Sequence, residues 1–220
     1  MEFSFVSLAL WAVPVILAIT LHEAAHGYVA RMFGDPTAHE AGRITLNPLR
    51  HVDPIGTLLV PGGILAVNAL TGTQFPPFGW AKPVPVNFGR LRHPKQDMLW
   101  VAAAGPGSNF VQALLWGFAA SAVLHSGGNG VVAQVIYVMA QAGIIVNIAL
   151  ALLNLVPVPP LDGGRILVSL LPVRQAIAVS RIEPYGFPIL IALLYFGVLD
   201  RVLWPMIPFF RRIITLLTGA

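Results

Sequence analysis

"AITLHEAAHGYVA", residues 18–30, closes a stretch in which positions 3 to 21 carry no charged side chain. His22, Glu23 and His26 then arrive together. Ionisable groups at membrane depth are costly and face a bundle interior, a cavity or a partner. These three residues therefore decide both the fold and the chemistry.

The rest of the chain agrees with a membrane setting. Of 220 residues, 56% are hydrophobic and only 10% are charged, against about 25% charged in ordinary soluble domains. Glu2 is the only charge before the first apolar run. With no basic leader, that run reads as a permanent span rather than a cleaved signal. There is no cysteine, so disulfides and thiolate metal sites are excluded and any metal must be held by nitrogen and oxygen. Lysine and arginine number 13 against 9 acids. In a membrane chain that excess belongs to cytoplasmic loops, and no nucleic-acid partner is expected.

Apolar segments fall at 3–30, 55–70, 98–124, 130–156 and 186–217. A crossing helix needs about 20 apolar residues. Segment 55–70, IGTLLVPGGILAVNAL, follows Pro54 and carries Pro61-Gly62-Gly63 at its centre. It reads as re-entrant, since such backbone is tolerated where protein covers it. The last segment, broken by Asp200, Arg201, Pro205 and Pro208, forms one span or two. The expected fold is an all-α polytopic membrane protein, a helical bundle of about 4–6 spans with a re-entrant element and a short β-like edge segment. Residues 1–220 read as a single membrane-embedded domain, with a core over about 3–170 and a C-terminal hydrophobic region over about 186–217.

Basic residues cluster at 31–50, 82–95 and 165–181, while 125–129, HSGGN, has none. If 55–70 re-enters, one arrangement satisfies every loop. The N-terminus and 125–129 lie outside, and the basic loops lie inside.

On a helix, positions i and i+4 share a face. His22 and His26 can thus offer two imidazoles to one metal ion. Glu23 lies about 100° round the helix, placed to reach a water on that metal without ligating it. A third ligand is needed to complete a hydrolytic zinc site. The acids available are Asp35, Glu40, Asp53, Asp97, Asp162, Glu183 and Asp200, and ion pairing in basic loops accounts for most of them. Asp162, in NLVPVPPLDGGRIL, follows prolines that end the preceding helix and precedes Gly163 and Gly164. Taken alone it could equally cap a helix beginning near Arg165. Depth separates the two readings. His22 lies about 27 Å along the first span from Ser4, near the inner face. Asp162 reaches the same face when 98–124 and 130–156 are the only spans between.

His22-Glu23-Ala24-Ala25-His26, the segment AAAGPGSNF at 102–110, and Asn154-x-x-Pro157-x-Pro159-x-Leu161-Asp162-Gly163 occur in that order. Together they resemble the site-2 protease family of intramembrane zinc metalloproteases, in its compact form without a PDZ-sized insertion. The resemblance implies one Zn²⁺ per chain on His22, His26 and Asp162, with Glu23 as catalytic base. It also implies that Asn154 positions or polarises the scissile carbonyl. Substrates would be transmembrane proteins or peptides, cut near the cytoplasmic face of the cell membrane. A non-catalytic metal transporter or metal-stabilised scaffold is the rival reading. Glu23 argues against it, because a transporter needs no carboxylate beside its first ligand.

Asn109 and Asn147 read as interhelical hydrogen-bonding residues. His39, His51, Asp53 and His93 read as solvated loop groups rather than a second metal site. Segment 78–88, FGWAKPVPVNF, reads either as a proline-interrupted edge strand able to pair with an unwound substrate or as a Trp-anchored loop.

Overall fold

The computed structural model describes residues 5–72, 79–128 and 130–220. Its long helices are α1 (Phe5–Met32), α4 (Pro94–His125), α5 (Val131–Asn154) and α9 (Val198–Thr218). Shorter ones are α2 (Thr37–Glu40), α3 (Val60–Thr71), α6 (Asp162–Leu170), α7 (Val173–Ser180) and α8 (Gly186–Tyr195). Five stretches are long and apolar enough to cross a membrane: Ala9–Met32, Pro54–Thr71, Pro94–His125, Val131–Asn154 and Val173–Tyr195. The chain is an all-α polytopic membrane protein, and no strand occurs among the described residues.

The site is positioned by α1, α4 and α5, which pack on one another, with α6 against α4 and α9 against both α4 and α5. Lipid gives helices little hydrophobic reason to associate, so close approach through small residues carries the packing. Ala18, Ala30, Ala113, Ala120, Ala140 and Ala151 are fully buried. A Cβ on Gly143 would sit 2.4 Å from the Trp116 ring, and one on Gly117 would sit 2.8 Å from Ile214 and Thr218. Ala113, Ile144, Ile148, Leu152 and Ile214 form the main apolar core, flanked by Phe110, Leu203, Ile207 and Phe210.

The central Pro61-Gly62-Gly63 does not break segment 55–70 as the sequence suggests. A π-helical turn, Pro54–Leu59, runs straight into α3, and Pro61 falls within the first turn of α3, where a missing N–H costs least. Asp53 caps the start, accepting from Ile55 N and Gly56 N. The returning chain meets that start: Trp80 N donates to Gly56 O at 3.1 Å and Lys82 N to His51 O at 2.8 Å. The start of this helix and the chain at 80–82 are therefore adjacent.

Residues 79–87 are extended but have no ladder partner. Their N–H groups are used by the protein itself. Besides Trp80 and Lys82, Val84 N donates to Glu23 Oε2 at 2.8 Å and Asn87 N to Asp35 Oδ2 at 2.6 Å. Pro83 and Pro85 have no N–H to offer. The segment is a strap across the site, with few donors left for an added strand. Position 78 lies outside the described residues.

The C-terminal hydrophobic region forms two helices, α8 and α9, separated by Gly197 in the left-handed region at φ 65°. Pro205 and Pro208 sit inside a continuous α9.

Candidate active site

α1 carries His22, Glu23 and His26, α4 crosses behind them, and α6 begins with Asp162. Three atoms converge: His22 Nε2 and His26 Nε2 lie 3.1 Å apart, and Asp162 Oδ2 lies 3.2 and 3.3 Å from them. All three residues are buried, and they form the one potential metal-holding group of three or more such side chains among the described residues.

Hydrogen bonding on the far side of each ring fixes what these atoms are. His22 Nδ1 donates to Asn109 Oδ1 at 2.6 Å, and His26 Nδ1 donates to Val101 O at 2.7 Å. Both Nδ1 atoms therefore hold the proton, so each neutral ring presents Nε2 as an acceptor. Asp162 Oδ2 is buried with no donor. Three acceptors facing one another without a donor repel unless a cation lies among them. Ligands about 2.0–2.1 Å from a tetrahedral zinc stand roughly 3.3 Å apart, close to the three separations found. The donor set fits zinc.

The second helix is shaped to this site. A Cβ on Gly105 would lie 2.4 Å from His26 Nε2 and 2.6 Å from His22 Nε2, so only glycine leaves room for the rings. Asn109, one turn on, also donates through Nδ2 to Asn147 Oδ1 at 2.8 Å and to Ala18 O at 3.2 Å. Asn147 donates to Gly143 O at 2.9 Å. Asn109 is thus an interhelical hydrogen-bonding residue, as its sequence context suggests. Its bond to His22 was not legible there.

Asp162 is not the cap of α6. The helix starts at Asp162 itself, and its side chain makes no capping bond. Gly163 and Gly164 serve close packing: a Cβ on either would lie 2.3 Å from backbone atoms of Leu155 or Pro159. The N-terminus of α6 is thereby pressed onto the loop that follows α5.

Glu23 lines the same cavity, of about 120 Å³, with His22, His26, Val84, Asn154, Asp162 and Arg165. Its Oε2 is held by Val84 N. Asn154 sits at the end of α5, and its Nδ2 donates to Leu150 O at 3.0 Å.

Four of the remaining acids have other duties. Asp53 caps the π turn, and Asp97 accepts from His93 N at 2.6 Å. Glu40 pairs with Arg90 at 2.8 Å. Asp35, fully buried, accepts from Thr37 Oγ1, Thr37 N and Asn87 N. Burial works against its ionisation, but these hydrogen bonds, helped by Arg90, hold its carboxyl below the usual carboxylate range.

His39 and His93 are exposed, as expected of loop histidines. His51 is not. It is 3% exposed, and its Nε2 donates to Thr45 O at 3.1 Å while its carbonyl receives Lys82 N. The Pro48–His51 turn packs on α1, a tertiary contact that loop composition does not reveal. None of these residues joins the His22–His26–Asp162 cluster.

Membrane helices and a buried acceptor triad that fits zinc are the features of a membrane-embedded metalloprotease. The model of Peptidase family M50 matches residues 10–197, and the chain belongs to that family, the site-2 proteases. It is 38% identical over 198 residues to the Bacillus subtilis (strain 168) protein "Putative zinc metalloprotease YwhC", covering 89% of this chain and 84% of that one. It is 32% identical over 203 residues to the Mycolicibacterium smegmatis protein "Putative zinc metalloprotease Rip2", covering 89% and 70%. No solved structure matches the chain.

Proposed function

We propose that this chain is an intramembrane zinc endopeptidase that hydrolyses peptide bonds in or near transmembrane segments of membrane proteins. The observation that carries this reading is the convergence of His22 Nε2, His26 Nε2 and Asp162 Oδ2 in a cavity that Glu23 also lines. These three residues hold one zinc ion per chain. Zinc supplies a Lewis acid there, lowering the pKa of water to about 7 and polarising a carbonyl.

Glu23 takes the proton of the attacking water and delivers it to the leaving amine nitrogen as the C–N bond breaks. Val84 N–H occupies Oε2, which fixes the carboxylate and leaves Oε1 as the proton carrier. Asn154 turns its amide from Leu150 O to the scissile carbonyl when substrate arrives. Asn109 and the Val101 carbonyl keep both imidazoles in the tautomer a metal requires. The substrate helix must lose local backbone hydrogen bonds before its carbonyl can reach this site.

Residues 1–220 act as one domain in the cell membrane, with the site near the cytoplasmic face. The basic loops at 31–50, 82–95 and 165–181 support that sidedness. A metal transporter is the weaker reading. Asn109 and Asn147 satisfy one another instead of lining a path, and Glu23 would have no task.

The test is co-expression of single-span membrane proteins with wild type or Glu23→Gln. Wild type yields cleaved product, and the variant loses about 10²–10⁴-fold in rate. Near-normal cleavage by Glu23→Gln overturns the mechanism.

A further inference from the structure

The helix farthest from the site in sequence, α9, carries charge where the bundle gives it no partner. Its depth is fixed by contacts along its length. Phe210 stacks on Phe110 with ring centroids 5.3 Å apart, and Phe110 is at the middle of α4. Arg211 Nη2 donates to Gln141 Oε1 at 2.9 Å, and Gln141 is near the middle of α5. At the far end, a Cβ on Gly219 would lie 3.5 Å from Ser121 Oγ, level with the end of α4. Arg211 is therefore level with the middle of α4 and α5, two of the helices long and apolar enough to cross a membrane, and roughly 12 Å from the near end of the bundle.

Arg211 and the adjacent Arg212 are both exposed. Among the described residues neither reaches a carboxylate, the one Arg–carboxylate bridge being Arg90–Glu40. The surface around them is apolar, with Trp204, Phe209, Leu216 and Leu217 each more than 60% exposed. Charged groups at this depth ordinarily face a bundle interior and pair. Here they face outwards, and one neutral amide cannot neutralise two guanidinium groups.

We propose that this face of α9 docks a partner's transmembrane helix that carries a carboxylate near its midpoint. Apolar flanks suit a helix in lipid, and a central carboxylate offers bidentate pairing to Arg. A second copy of this chain does not fit. Copies in one membrane share depth, so contact through α9 would set Arg211 and Arg212 against their own counterparts. Asp200 lies about 16 Å further along the helix.

The absence of cysteine makes a cross-linking test direct. Leu216→Cys, one turn beyond Arg212, would be co-expressed with a leucine-rich transmembrane host helix bearing one cysteine and a central Glu. Disulfide yield would be compared with hosts carrying Leu at the centre or Glu at either end. The central-Glu host should cross-link at least about tenfold better than either control. Arg211→Gln with Arg212→Gln should abolish that advantage, while Arg211→Lys with Arg212→Lys should keep it and shows that the helix remains in place. Equal yield from the central-Leu host, or insensitivity to the glutamine pair, overturns the proposal. So does a disulfide between two copies of this chain as the main product.

Discussion

His22 Nδ1 donates a 2.6 Å hydrogen bond to Asn109 Oδ1 across the α1–α4 interface. A neutral amide on one helix thus sets the tautomer and ring plane of an imidazole on another. Removing it frees the ring. Asn109→Ala should weaken zinc affinity about 10–100-fold, measured by chelator competition. It also strips Asn147 Oδ1 of its donor, at a cost of about 1–3 kcal/mol in thermal stability. Unchanged affinity would remove Asn109 from the account.

Gly105→Ala should expel the metal while the bundle survives. The added methyl would stand 2.4–2.6 Å from the two Nε2 atoms, whereas a Cβ on Gly107 meets nothing within 4 Å. Zinc content of purified protein would therefore fall sharply for Gly105→Ala and stay at the wild-type level for Gly107→Ala. Equal zinc in both variants contradicts the packing argument.

Val84→Pro deletes the N–H that holds Glu23 and leaves its carboxylate free to turn. Cleavage should fall by about tenfold or more with zinc retained, because Glu23, the proposed general base, loses its fixed geometry. Val84→Ala keeps the donor and should stay within a few-fold of wild type. A proline variant as active as the alanine variant would show that the strap does not position the base.

These relationships show where the sequence could be read and where it could not. The convergence of His22, His26 and Asp162 was legible because helical period and the number of intervening apolar segments are both countable along a chain. Asn109 was legible as an interhelical polar residue, but not its partner, since nothing in linear order ties position 109 to position 22. Val84 acts through a backbone N–H, which leaves no mark in residue type. His51 read as a solvated loop group because the contacts that bury its turn, with α1 and with Lys82 N, come from distant segments. Pro61-Gly62-Gly63 suggested broken backbone, yet a preceding π turn absorbs the proline.

Asp35 predicts a pH dependence outside the site. Its folded carboxyl titrates below the ordinary carboxylate value, so its contribution is full above about pH 4 and is lost as pH falls through the lower folded value. Asp35→Asn should cost roughly 1.5–3 kcal/mol near neutrality. The gap between variant and wild type should narrow below about pH 4, read from thermal unfolding in detergent. A gap that is constant across that range contradicts the assignment.

Sidedness can be read with single cysteines at Gly89 and Gly130, where an added Cβ meets no close contact. In intact cells, a membrane-impermeant thiol reagent should label Gly130→Cys, and Gly89→Cys only after the membrane is opened. The reverse pattern would invert the bundle and put the site at the outer face.

The most direct measurement is zinc X-ray absorption, with metal quantitation, on purified Glu23→Gln. Glu23 lies beside the acceptor triad but outside it, so the variant should hold one zinc per chain with two imidazole ligands at about 2.0–2.1 Å, as wild type does. Loss of the metal, or a spectrum without the imidazole pair, would contradict the claim that His22, His26 and Asp162 bind zinc while Glu23 moves the proton.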